Sequence, residues 1–231
     1  MNKKIIFSTI LFSTLMATGC MGNGYGQGNR GISSSTPSTS YSSSSLSSSL
    51  KSSLAYMYDE ERLAKEVYLA IYQKQPVKQL SKIASKAEVR HIDAVKKLAQ
   101  KYGVATPYQK VGKYQSSHIE TLFNQLYTKG IRSKKDAREV GCMVEVIDVD
   151  DLNRYMDEAQ RANAQDLLQT YSFLRKGSYN HYWAFDRGLK QIGVSNGCCS
   201  LGSKYCHSEY PQNEKGGGRG QGRGHGQGRG R

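Results

Sequence analysis

The chain has 231 residues, of which 33 are lysine or arginine and 19 are acidic, so its formal net charge at pH 7 is +14. Only 37% of the residues are hydrophobic. No apolar run reaches the roughly 20 residues that span a bilayer, which excludes a polytopic membrane protein. Serine supplies 14 of the 22 residues 32–53, and glycine supplies 9 of the 16 residues 216–231. The remaining middle has an ordinary globular composition, so the charge alone does not indicate a nucleic-acid-binding fold.

Residues 1–19 have the features of a lipoprotein signal peptide. Lys3 and Lys4 precede a short apolar run, and small residues stand directly before Cys20. This pattern resembles a bacterial lipobox, in which the cysteine is acylated after the signal has been removed. It predicts an exported lipoprotein, anchored through Cys20 in the outer membrane and facing the periplasm. The alternative is an ordinary signal peptide followed by an incidental cysteine.

Residues 20–53 are rich in glycine and serine and contain too little apolar surface to fold, so they are predicted to form a disordered tether. Residues 54–193 are predicted to be helical throughout, because apolar residues recur three or four positions apart and no segment alternates as a strand would. The first predicted long helix covers 54–74 after a Ser52/Ser53 cap, and the second covers 77–102 and ends before Gly103. The third runs from Ser133 towards 162, and the fourth begins at Asn163 or Gln165. A short helix is predicted near 118–129, between the second and the third. Four amphipathic helices and one longer crossover predict an all-α four-helix bundle.

Polar residues interrupt the apolar face of each long helix. Their positions are Glu61 on the first helix, Glu88 and His91 on the second, Glu145 on the third and His181 on the fourth. Burying such groups without partners would cost several kcal/mol each. A bound cation would offset this cost, and oxygen with imidazole ligands suits iron or manganese. By contrast, Glu60, Glu66 and Glu139 are predicted to be surface charges.

The layout resembles the ferritin-like superfamily, in which helices one and three each supply a Glu and helices two and four each supply Glu-x-x-His. Tyr68 stands seven residues after Glu61, and this matches the Glu-x6-Tyr pattern with which the motifs of that superfamily commonly start. The segments 59–68, 88–95, 140–152 and 177–181 resemble more closely an exported prokaryotic family called domain of unknown function 2202. The resemblance implies one or two iron or manganese ions and, in an enzyme, oxidation of Fe(II) or reduction of oxygen or peroxide. Tyr68 would then bond to a ligand, carry an electron, or simply fill the core.

One position departs from the ferritin-like pattern, because Ser178 stands where the fourth helix would carry the Glu of Glu-x-x-His. A serine hydroxyl is a poor ligand for a hard cation. Asp148, one turn after Glu145, is a further candidate ligand. We therefore predict two unequal sites. The tighter one uses Glu61, Glu88 and His91 with Glu145 as a bridge, and the looser one lies at His181.

Besides Cys20, the mature chain has four cysteines, at positions 142, 198, 199 and 206, the last three in a predicted extension over residues 194–215. Cys206 could pair with Cys198 or Cys199, or these three cysteines and His207 could bind a metal. Residues 216–231 form a predicted disordered Gly/Arg tail without aromatic residues. Charge would attract this tail to anionic envelope polymers, with no specific nucleic acid. The alternative is a solvated low-complexity tail without a partner.

A rival interpretation is a non-catalytic cell-envelope lipoprotein whose bundle and basic tail mediate interactions. Its inward acids would then be remnants of an ancestral site, ion-paired with Arg90 or Arg138.

Overall fold

The computed structural model describes residues 46–212, and this part of the chain is helical without any β-strand. None of its helices combines the length and the hydropathy that crossing a membrane requires. The predicted signal peptide, Cys20, most of the tether and the Gly/Arg tail lie outside the described residues.

The helices follow one another with short connections, except between α3 and α4. They are α1 (Ser48–Tyr72), α2 (Lys78–Ile83), α3 (Val89–Lys101), α4 (Ser117–Gly130), α5 (Lys134–Arg161) and α6 (Gln165–Lys190). A π-helical turn, Ala84–Glu88, joins α2 to α3, so these form one continuous helical segment. Two 3₁₀ turns, Gly197–Leu201 and Ser203–Tyr205, follow α6.

Local signals set most of the helix ends. The Ser133 side chain accepts a hydrogen bond from the Asp136 amide at the start of α5, and Gly103 adopts a φ of +64° just after α3, as predicted. The predicted start of α1 was wrong. The helix begins six residues earlier, where Ser47 is its cap, because the extra turn buries Leu50. Residues 48–53 of the predicted tether are therefore helical.

The hydrophobic core consists of two clusters of side chains, which we call the upper and lower clusters. The upper cluster includes Tyr68 and Phe185, and the lower cluster includes Leu54 and Leu174. Each long helical segment contributes to both clusters. Where one cluster gives way to the other along each segment, the buried side chains are the inward acids and histidines predicted from the sequence. The site is thus a polar layer between two apolar ones.

Helix α1 is covered on all sides. It packs against α3 and α5, while α4 and the connection before it cover its remaining face. The prediction of surface positions for Glu60, Glu66 and Glu139 was wrong, because all three are at most 7% exposed. The connection before α4 covers Glu66, Glu60 faces Asp148 and Asp151 of α5, and Glu139 of α5 lies against Lys129 of α4. Glu66 accepts hydrogen bonds from the Arg62 guanidinium and the Tyr114 hydroxyl, both at 2.8 Å. Lysines pair with Glu139.

Two disulfides hold the C-terminal extension. The long disulfide joins Cys142 of α5 to Cys198 and spans 56 residues of chain, whereas the short disulfide joins Cys199 to Cys206 and spans 7. The short disulfide is one of the two pairings that the sequence left open for Cys206. The predicted metal site of Cys198, Cys199, Cys206 and His207 was wrong, because every thiol that it needs is oxidised. The long disulfide went unforeseen, since its partners are distant in sequence.

Candidate metal centre

Two groups of three buried side chains place their donor atoms close enough together to share an ion. The first group comprises Glu61, Glu88 and His91, with all donor atoms within 4.8 Å of one another. The His91 Nδ1 lies 3.2 Å from a Glu61 carboxylate oxygen and 3.0 Å from Oε2 of Glu88. These residues come from α1, the end of the π-helical turn and the start of α3.

The second group comprises Glu88, Glu145 and His181, again within 4.8 Å. The His181 Nδ1 lies 3.1 Å from Oε1 of Glu88 and 3.3 Å from Oε2 of Glu145. The rings of His91 and His181 stack with their centroids 5.6 Å apart. The structure therefore brings together all five residues that the sequence singled out, from four different helical segments.

Glu88 is the carboxylate common to the two groups, with one oxygen facing each histidine. This differs from the expectation that Glu145 would be the bridge. The π-helical turn that ends at Glu88 is a departure from regular α-helix of the kind often found at functional sites. The 3-4 apolar spacing of the sequence gave no signal for this turn.

Charges within the site are strongly coupled. Burial alone would lower the pKa of His181, but Glu145 and Glu88 raise it to about 10. The pKa of His91 is likewise raised despite its burial, chiefly by Glu61. Burial raises the pKa of Glu61 to about 7, whereas the two histidines hold the pKa of Glu88 below its usual range in spite of burial. Without an ion, protons on the two site histidines, His91 and His181, thus balance the carboxylates.

Tyr68 belongs to the site. Its hydroxyl donates a 2.5 Å hydrogen bond to Oε1 of Glu145, and its ring is completely buried beside Phe185. Of the roles considered from the sequence, the structure thus shows a hydrogen bond to a candidate ligand together with core packing. This bond orients Glu145 so that its other oxygen faces His181.

Asp148 and Ser178 lie beside the two groups without joining either. The Ser178 hydroxyl is hydrogen-bonded to Oδ2 of Asp148 and lies 3.1 Å from the Leu174 carbonyl oxygen. Burial, reinforced by the nearby Glu61, raises the pKa of Asp148. Ser178 engages only Oδ2, and the Oδ1 of Asp148 is buried without a hydrogen-bond partner in the described part of the chain, so Asp148 stays a candidate ligand outside the two groups.

Gly177 is a site residue that the sequence analysis did not single out. A Cβ atom at this position would lie 2.4 Å from the His91 Nε2, so the bare backbone of α6 lets the imidazole pack against it. Phe173, one turn earlier, contacts the edge of the same ring at a centroid distance of 5.4 Å. The sequence did contain a signal for this role, namely a glycine inside a predicted helix. Glycine lowers helix stability at such a position, so its presence there usually has a packing or functional reason.

The donor set fits a bound cation. Oε1 of Glu61 is buried and lacks a hydrogen-bond partner in the described part of the chain, and the His181 Nδ1, although 3.1 Å from Glu88, is not aligned for a hydrogen bond with it. Within residues 46–212, neither Arg90 nor Arg138 pairs with a site carboxylate; each donates instead to a backbone carbonyl one turn earlier. The ion pairs required by the rival interpretation are therefore not found there.

Comparison with known proteins places the chain in a family. The family described as an uncharacterized protein domain, DUF2202, matches residues 51–207. The uncharacterized protein MJ0754 of Methanocaldococcus jannaschii is 36% identical over 145 residues, which cover 62% of this chain and 76% of that protein. A crystal structure of hypothetical protein MJ0754 from Methanococcus jannaschii is similar with a TM-score of 0.61 at 35% identity, covering 64% of this chain and 83% of that one. Since the family match spans well over half of the chain and includes every residue of the candidate centre, the protein belongs to the DUF2202 family.

Proposed function

We propose that this protein is an exported, ferritin-like metal-binding protein that holds one or two iron or manganese ions between its helices. The ligands are Glu61, Glu88, His91, Glu145 and His181. The observation that carries the proposal is the pair of buried three-residue groups that share Glu88. In this proposal, the long helical segments that contribute these ligands play the part of the four helices of a ferritin-like bundle.

The energetic argument concerns the buried charge. Each of the three site carboxylates is at most 2% exposed, and their ion-pair partners among the described residues are the two site histidines. Removing carboxylates from water is costly unless a positive charge compensates. Metal ions can replace the histidine protons, and imidazole with carboxylate oxygen is a donor set suited to iron or manganese.

Bound iron or manganese would supply redox chemistry directed at oxygen, peroxide or Fe(II). The protein's own residues have definite tasks in such a site. Glu88 presents one oxygen to each histidine. The Tyr68 hydroxyl holds a proton against Glu145. The apolar clusters on either side keep bulk water away from the carboxylates.

Metal content tests this proposal directly. Protein prepared without a chelator or a His tag should retain manganese or iron after anaerobic loading and desalting. Glu88→Gln should abolish retention, because Glu88 belongs to both groups. Glu139→Gln is the matched control, since it alters a buried glutamate that pairs with lysines away from the site. If wild type and Glu88→Gln retained equal amounts of metal, the proposal would fail.

We also propose that the protein is a lipoprotein that faces the periplasm, anchored through Cys20. Two disulfides support an oxidising compartment for the folded domain. Mass analysis of the mature protein should find an N-terminal, acylated Cys20, and Cys20→Ser should move the protein from the membrane to the soluble fraction. A mature chain that begins elsewhere, without lipid, would contradict the anchor.

For the tail, we propose attraction to anionic envelope polymers. Residues 216–231 carry four arginines and no acidic residue, so attraction should be independent of sequence and should weaken as salt rises. Deleting residues 216–231 should reduce retention on anionic liposomes at low salt. Unchanged retention would contradict the proposal.

A further inference from the structure

An open groove lies over the imidazole side of the candidate metal centre. It has a volume of about 890 Å³, and both His91 and His181 line it. This volume is in the range of pockets that hold small organic molecules. The carboxylates of the centre do not line the groove, so a molecule entering from solvent meets the two imidazole rings first.

Besides the two histidines, the charged side chains that line the groove are all positive. They are Arg90, Lys176 and Arg187, and no carboxylate accompanies them. All three are exposed, and none forms an ion pair with a residue in the range 46–212. Elsewhere Lys129, by contrast, is paired with Asp136 and Glu139. Three unpaired cations around one concave surface favour an anion.

The groove also has an apolar part. Phe173 is 46% exposed, which makes it one of the few large hydrophobic side chains that remain open to solvent in the described domain. Trp183 lines the same groove, where its indole nitrogen donates to the Tyr210 carbonyl oxygen at 3.0 Å and its ring stays half-buried. Aromatic rings beside cationic groups are suited to a ligand that carries an apolar portion next to its negative charge.

We propose that this groove binds a small organic anion, with its negative group held by Arg90, Lys176 and Arg187 and its apolar portion against Phe173 and Trp183. The role of the anion as a substrate or effector of the neighbouring centre rests on the proposed metal function, whereas its binding does not. The groove gives the proposed centre a substrate class that the site residues alone do not specify.

The test uses phenyl phosphate as the probe and the full mature chain, both metal-free and metal-loaded. Trp183 is the single tryptophan of the protein, so its fluorescence reports on the groove, and calorimetry gives the affinity independently. The groove variant Arg90→Gln/Lys176→Gln/Arg187→Gln removes the three cations. The control variant Lys96→Gln/Lys110→Gln/Arg161→Gln removes the same charge from exposed positions outside the groove.

Phenyl phosphate should bind to wild type and to the control variant alike, and about tenfold more weakly to the groove variant. It should also bind more tightly than inorganic phosphate, and Phe173→Ala should reduce this difference. Equal affinities of the groove and control variants, or equal affinities for the two phosphates, would overturn the proposal. Because the metal-free protein is measured too, a failure to bind metal is detected separately and leaves this result unaffected.

Discussion

Replacing Gly177 with alanine tests whether the close packing of α6 against His91 sets the metal affinity. The added Cβ would lie 2.4 Å from Nε2 and 2.5 Å from Cε1 of the imidazole, whereas ordinary contact begins at 3.4 Å. The ring must therefore retreat by about 1 Å. Phe173 contacts the His91 ring, and the His91 Nδ1 already lies 3.0 Å from Glu88, so the retreat misplaces this donor atom.

Displacing or loosening a ligand in this way typically costs about 10- to 100-fold in metal affinity, or about 1.4 to 2.8 kcal/mol. Alanine is also a better helix former than glycine by about 1 kcal/mol, which offsets part of the strain in the metal-free protein. We therefore expect Gly177→Ala to weaken metal binding much more than it lowers the free energy of unfolding.

Gly188→Ala is the matched control, because it makes the same change on the same helix. Its Cβ would meet Gln79 Nε2 at 2.8 Å and Arg138 Nε at 3.2 Å, both at ends of flexible side chains that can move. Competition titrations with Mn(II) should show weakened binding for Gly177→Ala and wild-type binding for Gly188→Ala, with thermal unfolding measured in parallel. Equal affinities of the two variants would refute the reasoning.

Four further predictions concern the centre, its surroundings and the two disulfides. Tyr68→Phe removes the hydrogen bond to Glu145, so it should cost about 1–3 kcal/mol of stability. It should also weaken metal binding by the second group of ligands more than by the first. Mn(II) titration and denaturant unfolding measure the two effects, and unchanged values would contradict the prediction. Because the pKa values of both site histidines are raised, Mn(II) loading at pH 7 should release protons, which calorimetry in buffers of different ionisation enthalpy would detect or disprove. The raised pKa of His181 also stabilises the metal-free fold fully below pH ~6.5, and this stability should be lost as the pH rises through about 10; a thermal-unfolding series would contradict this if the midpoint were constant over that range. Replacing both cysteines of the long disulfide with alanine should cost about 4 kcal/mol, against about 2 kcal/mol for the short one, and equal losses in denaturant titrations would contradict the loop-length argument.

The sequence by itself determined the helical class, several helix ends and the identity of the inward acids and histidines. The cap at Ser133 and the turn at Gly103 depend on contacts within a few residues, which the sequence displays directly. The positions of Glu61 and Glu145 relative to the apolar residues follow from the 3.6-residue period, so they could be assigned to buried faces before any packing was known.

Only the tertiary structure decided which groups meet across helices. Glu66 is buried because the connection before α4 covers it, and Glu60 is buried because it faces α5; no periodicity within α1 encodes either contact. The sharing of Glu88 between the two groups depends on the π-helical turn and on the distance between two histidines of different helices. The long disulfide and the cationic groove likewise join residues far apart in the chain. Local sequence determines the backbone dihedral angles and which face of each helix is apolar. Contacts between distant residues depend instead on how whole helices pack against one another, which their complete surfaces determine jointly.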